Sequence, residues 1–183
     1  MARIPYFDIT KTTGRAAQHF AKQEKMRKMN LFRMLAHSGE MLDGWTRLGL
    51  QILYFAKLDP VLREIAILRV GFLSHASYEV HQHKRTARGM GMSEELIAGI
   101  ESGPDAAVFS PTQRLVMKFT DDVVKNVRAS DATFKPLSEV LSYQEMQQLV
   151  ITICYYMMVS RFLETFDVDI EGPASDGTTP ATG

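Results

Sequence analysis

Helix punctuation recurs at helix-length intervals along this chain and is never interrupted by an alternating apolar and polar run, and that pattern most narrows the folds open to it. Asp59-Pro60 joins an N-cap to a proline at the first helical position. Ser110-Pro111-Thr112-Gln113 adds a capping box to the same device, and Ser142 to Glu145 is a second box that opens an apolar run to Phe166. Ser93 caps the segment Glu94 to Ile100. Val61, Ile65, Leu68 and Phe72 recur at i, i+4, i+7 and i+11, which predicts a helical stripe turned to the core. Upstream, Thr12 or Thr13 and Gly39 bracket one helix over about residues 14–37, and a second runs from Glu40 to Lys57. Ser74 to Ser77 is a joint before a helix from Tyr78 to Met90, stopped by Gly89 and Gly91. The fold class expected is all-α, a helical bundle with apolar faces left for a groove or for other subunits.

Composition limits the function classes. The 183 residues, 45% apolar and 23% charged, suit one globular domain, and 21 basic against 21 acidic side chains leave no field to steer toward nucleic acid. Residues 1–40 hold eight Lys or Arg against three acids, which reads as a solvated helix face. Cys154 is the single cysteine, so no intrachain disulfide, redox pair or multi-thiolate metal knuckle is possible, and a cytoplasmic location is expected. Between Ile153 and Tyr155, Cys154 itself reads as a buried small hydrophobe. Met146 to Ser160 is too short and too polar to cross a membrane, so no membrane partner is expected. The methionines, Met26, Met29, Met34, Met157 and Met158 among them, read as filling for the core or for subunit interfaces. The first dozen residues read as an arm that orders by packing, and 171–183, rich in Gly, Pro, Ser and Thr, as a flexible tail.

Ionisable side chains gather in one stretch that holds Glu64, His75, Glu79, His81 and His83. On a helix Glu79 and His83 stand at i and i+4, so the carboxylate can orient the imidazole and raise its pKa, as a general acid or base requires. His81 and His83 lie about 200° apart round the same helix, which argues against a shared metal. Periodicity places Glu64 away from the Ile65 stripe, so the plain expectation for it is a surface ion pair with Arg63, Arg69 or Lys57, and for Glu79 one with Lys84 or Arg85.

Arg63-Glu64, Tyr78-Glu79 with His83 four positions on, then Ala87, Gly91 and Ser93-Glu94-Glu95-Leu96-Ile97 resemble the carboxymuconolactone decarboxylase and alkyl hydroperoxidase D (AhpD-like) superfamily. The segments PTQRLVMKFTDDVV and LSYQEMQQLVITICYYMMVSRF follow in the expected order. The resemblance implies an AhpD-like helical bundle over 41–170, with 1–40 as an extension, assembled as a homotrimer or homohexamer. In the hydroperoxidase branch a Cys-x-x-Cys pair stands where this chain has Ala76 and Glu79, so a disulfide-based peroxidase is disfavoured. The decarboxylase branch carries Tyr-Glu-Trp, against Tyr78-Glu79-Val80 here. That branch implies a cofactor-independent lyase or proton-transfer enzyme for a small cyclic carbonyl or lactone carboxylate, with no metal. The site residues so implied are His83 as proton donor, Glu79 as its orienter, Glu64 as relay or second acid and Tyr78 as hydrogen-bond donor, with Arg69 and Arg85 holding a substrate carboxylate. The rival expectation is a non-catalytic oligomeric binding or scaffold protein that keeps the motif for its structure.

Overall fold

A computed structural model describes residues 1–22 and 24–172. In chain order the helices are α1 (Gly14–Lys22), α2 (Glu24–Lys28), α3 (Asn30–Leu35), α4 (Met41–Leu50), α5 (Pro60–Leu73), α6 (Ser77–Gly89), α7 (Glu94–Ser102), α8 (Pro111–Asn126), α9 (Asp131–Ser138) and α10 (Tyr143–Thr165). A turn of π-helix, Gln51–Phe55, follows α4. The described residues contain no strand, so the all-α expectation holds. None of their helices is long and apolar enough to cross a membrane. Two compact units result, one of residues 1–50 with the chain from Leu163 onward, the other of Gln51–Phe162.

In the first unit, the single helix expected over 14–37 is broken. Met29 is extended, and the Asn30 backbone N–H donates to Glu171 Oε1 at 2.6 Å while its side-chain amide donates to the Asp169 carbonyl at 2.9 Å. Partners more than a hundred residues away replace the intrahelical bond, a substitution local spacing does not register. The N-terminal arm packs by the same means: Arg3 N–H donates to Phe166 O at 3.0 Å, and Tyr6 Oη and Asp169 exchange two hydrogen bonds. Glu171, expected to begin the tail, is therefore tied down, and residues 173–183 lie outside the described chain.

The second unit is built round α5, which packs against α6, α7 and α8 and is buried on every side from Leu62 to Gly71. Asp59 Oδ1 accepts from the Val61 and Leu62 N–H groups, fixing where α5 starts. Its core stripe is wider than predicted: Ile65, Ile67 and Leu68 are at most 1% exposed, each contributing about 1.5–3 kcal/mol on burial, while Val61 and Phe72 are half-buried. Gly71 lets α6 approach, since a Cβ there would lie 3.1 Å from Val80 Cγ2. The chain turns from α5 into α6 through His75, at φ 53°. Arg69 ties three helices together. Its Nη2 donates to Asp121 Oδ2 of α8 at 2.8 Å and its Nη1 to the carbonyls of Ile100 and Glu101 at the end of α7. Both expected capping boxes form, at Ser110 with Gln113 and at Ser142 with Glu145.

One helix here was not foreseen, and one expectation fails. Helix α9 was not anticipated, because Pro136 in its interior reads as a breaker. Cys154 is exposed, on the outward face of α10 with Val150, Ile151 and Met158, because the buried stripe of that helix runs through Leu149, Ile153 and Tyr156 instead.

Candidate active site

Helices α5 and α6 run antiparallel, which sets Glu64 opposite His83 although nineteen positions separate them. Glu64 Oε1 lies 2.7 Å from His83 Nδ1 in hydrogen-bond geometry. On the other side of the ring, Glu79 Oε2 is 3.3 Å from Nε2, close enough for an ion pair but without hydrogen-bond alignment. The imidazole is thus flanked by two carboxylates, and the shorter, directed contact belongs to Glu64 rather than to the i, i+4 partner. The Tyr156 ring of α10 meets His83 edge-on, with centroids 5.0 Å apart and planes at 89°.

The group is desolvated. Glu64 is fully buried, Glu79 is 4% and His83 9% exposed, which overturns the expected surface ion pairs of both carboxylates. The periodic pattern failed for Glu64 because α5 has no solvent face at that level. Glu64 Oε2, Glu79 Oε2 and Arg63 Nε are buried without a hydrogen-bond partner. Burial on its own would lower the His83 pKa, but the charge and hydrogen bond of Glu64, then the charge of Glu79, outweigh it and the net direction is up. Arg63 opposes them weakly. Glu79 is raised by burial first and then by the Glu64 charge, with His83 offsetting part of the rise. Tyr156 is held well above the ordinary phenol value by burial and by both carboxylates, so its hydroxyl keeps its proton. Such an arrangement couples the protonation of His83 to that of Glu79, which is what general acid–base chemistry requires.

Tyr78 is buried beside Glu79, about 140° round α6 from His83. The remaining sequence candidates stand apart: Arg69 is engaged with Asp121 and the end of α7, and Arg85 is exposed on the side of α6 turned away from His83. His81 and His75 are exposed. Sequence reasoning missed Tyr156 and did not single out Arg63 for the site. The signal for Tyr156 was its place on the buried stripe of α10, which says nothing about the helix it faces. Among the described residues no group of three or more His, Cys, Asp or Glu is disposed to hold a metal ion. A cleft of about 560 Å³ opens nearby, lined by Gly71, Phe72, His75, Ser77, Val80 and Lys84 among others. None of Glu64, Glu79, His83 and Tyr156 is on its lining, although Glu79 Cβ lies 3.7 Å from where a Gly71 side chain would begin.

Residues 39–122 match the model of the carboxymuconolactone decarboxylase family. No curated protein matches the sequence. Among solved structures, the AhpD-core, peroxidase-related protein from Ralstonia eutropha JMP134 superposes with a TM-score of 0.82 at 16% identity, covering 95% of this chain and 94% of that one. A protein of unknown function from Agrobacterium tumefaciens, named for the antioxidant defence protein AhpD, gives 0.70 at 19% identity over 74% and 94% of the two chains. A peroxidase-related protein from Silicibacter sp. TM1040 gives 0.67 at 15% identity over 76% and 74%. At these identities the likeness is one of fold.

Proposed function

We propose, for a chain whose residues 39–122 carry the carboxymuconolactone decarboxylase family pattern on an AhpD-like fold, cofactor-independent acid–base catalysis on a small cyclic carbonyl or lactone carboxylate. The observation that supports it is the buried His83 imidazole between Glu64 at 2.7 Å and Glu79 at 3.3 Å. Glu64 holds Nδ1 and keeps the ring oriented and charged. Nε2, which has no directed hydrogen bond, presents the proton. Glu79, pushed toward its neutral form by burial, is the relay that restores it.

In a decarboxylation the bond to the departing carboxylate breaks, and its electron pair moves through the unsaturated lactone to the carbonyl oxygen. His83 then delivers a proton to carbon, and solvent returns one to His83. The conjugated substrate is the electron sink, so this chemistry needs only positioning and a proton. Names of the structural neighbours point instead to peroxide reduction. An intrachain disulfide cycle needs two thiols, and Cys154 is the single cysteine. A purely structural role leaves two buried carboxylate oxygens without a hydrogen-bond partner and without a reason, since each costs stability. On this reading the protein works as a homo-oligomer, trimer or hexamer, in the reducing cytoplasm, with a small-molecule substrate.

The test is a panel of unsaturated lactone carboxylates in deuterated water, followed for carbon dioxide release and for deuterium at the protonated carbon. His83→Ala is expected to abolish turnover with helicity retained, and Glu79→Gln to slow it by about 10- to 1000-fold. Turnover at the wild-type rate in both variants would sink the proposal.

A further inference from the structure

We propose that Arg63 and Tyr156 form a subsite beside His83 for the oxyanion of a small ring compound, a carboxylate or an enolate oxygen; this rests on the acid–base reading above. Seven acidic, basic or imidazole side chains are buried among the described residues: Asp43, Arg63, Glu64, Arg69, Glu79, His83 and Asp121. Asp43 meets Arg47, Arg69 meets Asp121, and His83 meets both glutamates. Arg63 is 7% exposed and meets nothing: among the described residues none accepts a hydrogen bond from its guanidinium, and its Nε is enclosed without a partner. An Nε–H enclosed without an acceptor is costly unless an anion arrives to complete it.

Two observations place that anion beside the proton donor. Arg63 precedes Glu64 on α5, and its positive charge acts on both His83 and Tyr156, offsetting a small part of the rise in each pKa. Tyr156 meets His83 in a T-shaped contact, and its hydroxyl, a donor throughout the neutral range, makes no hydrogen bond to any described residue. A cation and a neutral O–H donor, both unused and both next to an imidazolium, are the equipment for an oxygen that gains charge as His83 gives up its proton. Arg69 and Arg85, the sequence candidates for an anion, are respectively engaged with Asp121 and exposed.

The probes are tetronate, a lactone enolate that is anionic at neutral pH, 2-furoate as a ring carboxylate, and uncharged 2(5H)-furanone. Binding is followed by calorimetry and by the ring nitrogen signals of His83. Wild-type protein is expected to bind at least one anion more tightly than the furanone, tetronate preference marking an enolate subsite and 2-furoate preference a carboxylate one. Arg63→Met should weaken the preferred anion by about 10-fold or more and Tyr156→Phe by about 3- to 10-fold, with furanone unaffected. If Arg63→Met does not fold, Arg63→Lys takes its place, expected to weaken the anion by about 3-fold because the point charge stays while the planar fork is lost. The proposal is overturned if wild type binds the neutral ring as tightly as both anions, or if the folded Arg63 variant binds as wild type does. Anion binding that depends on Arg63 in a protein that turns over no lactone would sink the reaction and leave the subsite standing. Turnover unaffected by the Arg63 substitution would do the reverse.

Discussion

A histidine between two buried carboxylates makes the stability of this protein depend on pH in a set direction. A group whose pKa is higher folded than unfolded takes up protons on folding, so its contribution is complete below the unfolded value and is lost as pH rises through the folded one. His83 loses its contribution on rising from its ordinary 6.5, and Glu79 from its ordinary 4.5, and both therefore run the same way. Urea unfolding at about pH 6 and about pH 9 should show the folded state weakening as pH rises, with a flatter dependence in His83→Gln. A rise in stability over that range would contradict the net upward shifts of His83 and Glu79. The two glutamates should also separate. Glu64→Gln, which neutralises the directed partner of Nδ1, is expected to cost about 1–3 kcal/mol, whereas Glu79→Gln removes a carboxylate that burial already drives toward neutrality and should cost less. Equal losses in denaturant titrations would mean that the two contacts are equivalent. The i, i+4 relation of Glu79 to His83 was legible as spacing. The closer contact of Glu64 was not, because it depends on how α5 and α6 lie against each other, and only the family pattern pointed to it.

Helix boundaries were legible wherever a cap is local. Asp59, Ser93, Ser110 and Ser142 all act within three or four residues of themselves, and each starts a helix where expected. Boundaries set from a distance were not, as with the break at Asn30, nor was a helix that tolerates its own proline, as with α9. Arg69 is the same lesson in a side chain: an isolated arginine in the sequence becomes the joint between α5, α7 and α8. Asp121 answers it from α8, where burial would raise its pKa but the bonds from Arg69 and Lys125 hold it below the ordinary carboxylate value. Asp121→Ala should therefore destabilise the fold by about 3–5 kcal/mol by stranding the buried Arg69, and the double variant with Arg69→Met should recover much of the loss. Thermal or denaturant unfolding of the two singles and the double checks this, and strictly additive losses would show that the pair is not coupled. On α10, Cys154 is outward, whereas the group round His83 is buried, and a second thiol is lacking. Purified protein is expected to show no thiol-dependent hydroperoxide reduction, and turnover that disappears in Cys154→Ser would refute that.

The all-helical fold of the whole molecule followed from punctuation and the absence of strand patterns, but its unused surface did not, because periodicity cannot distinguish a face turned to a core from one turned to another copy. Within Gln51–Phe162, α10 shows solvent Val150 at 36%, Ile151 at 46% and Met158 at 41%, with Cys154 among them and no charge from Gln147 through Met158. Tyr54 and Phe55, each above 70% exposed, lie close by, since the N–H groups of Lys57 and Leu58 donate to Gln148 of the same helix. An uncharged, largely apolar helix face with two aromatic side chains beside it is costly to leave in water. A second copy brings the same apolar stripe to it, so the expected state in solution is a closed homo-oligomer with α10 at its contact. Light scattering should give a multiple of the 20.6 kDa chain mass. Ile151→Glu combined with Met158→Glu should move the mass toward one chain while helicity is kept, because each carboxylate would meet its own copy across an apolar contact. A wild-type mass of one chain at micromolar concentration, or a double variant that assembles as wild type does, would remove α10 from any such contact.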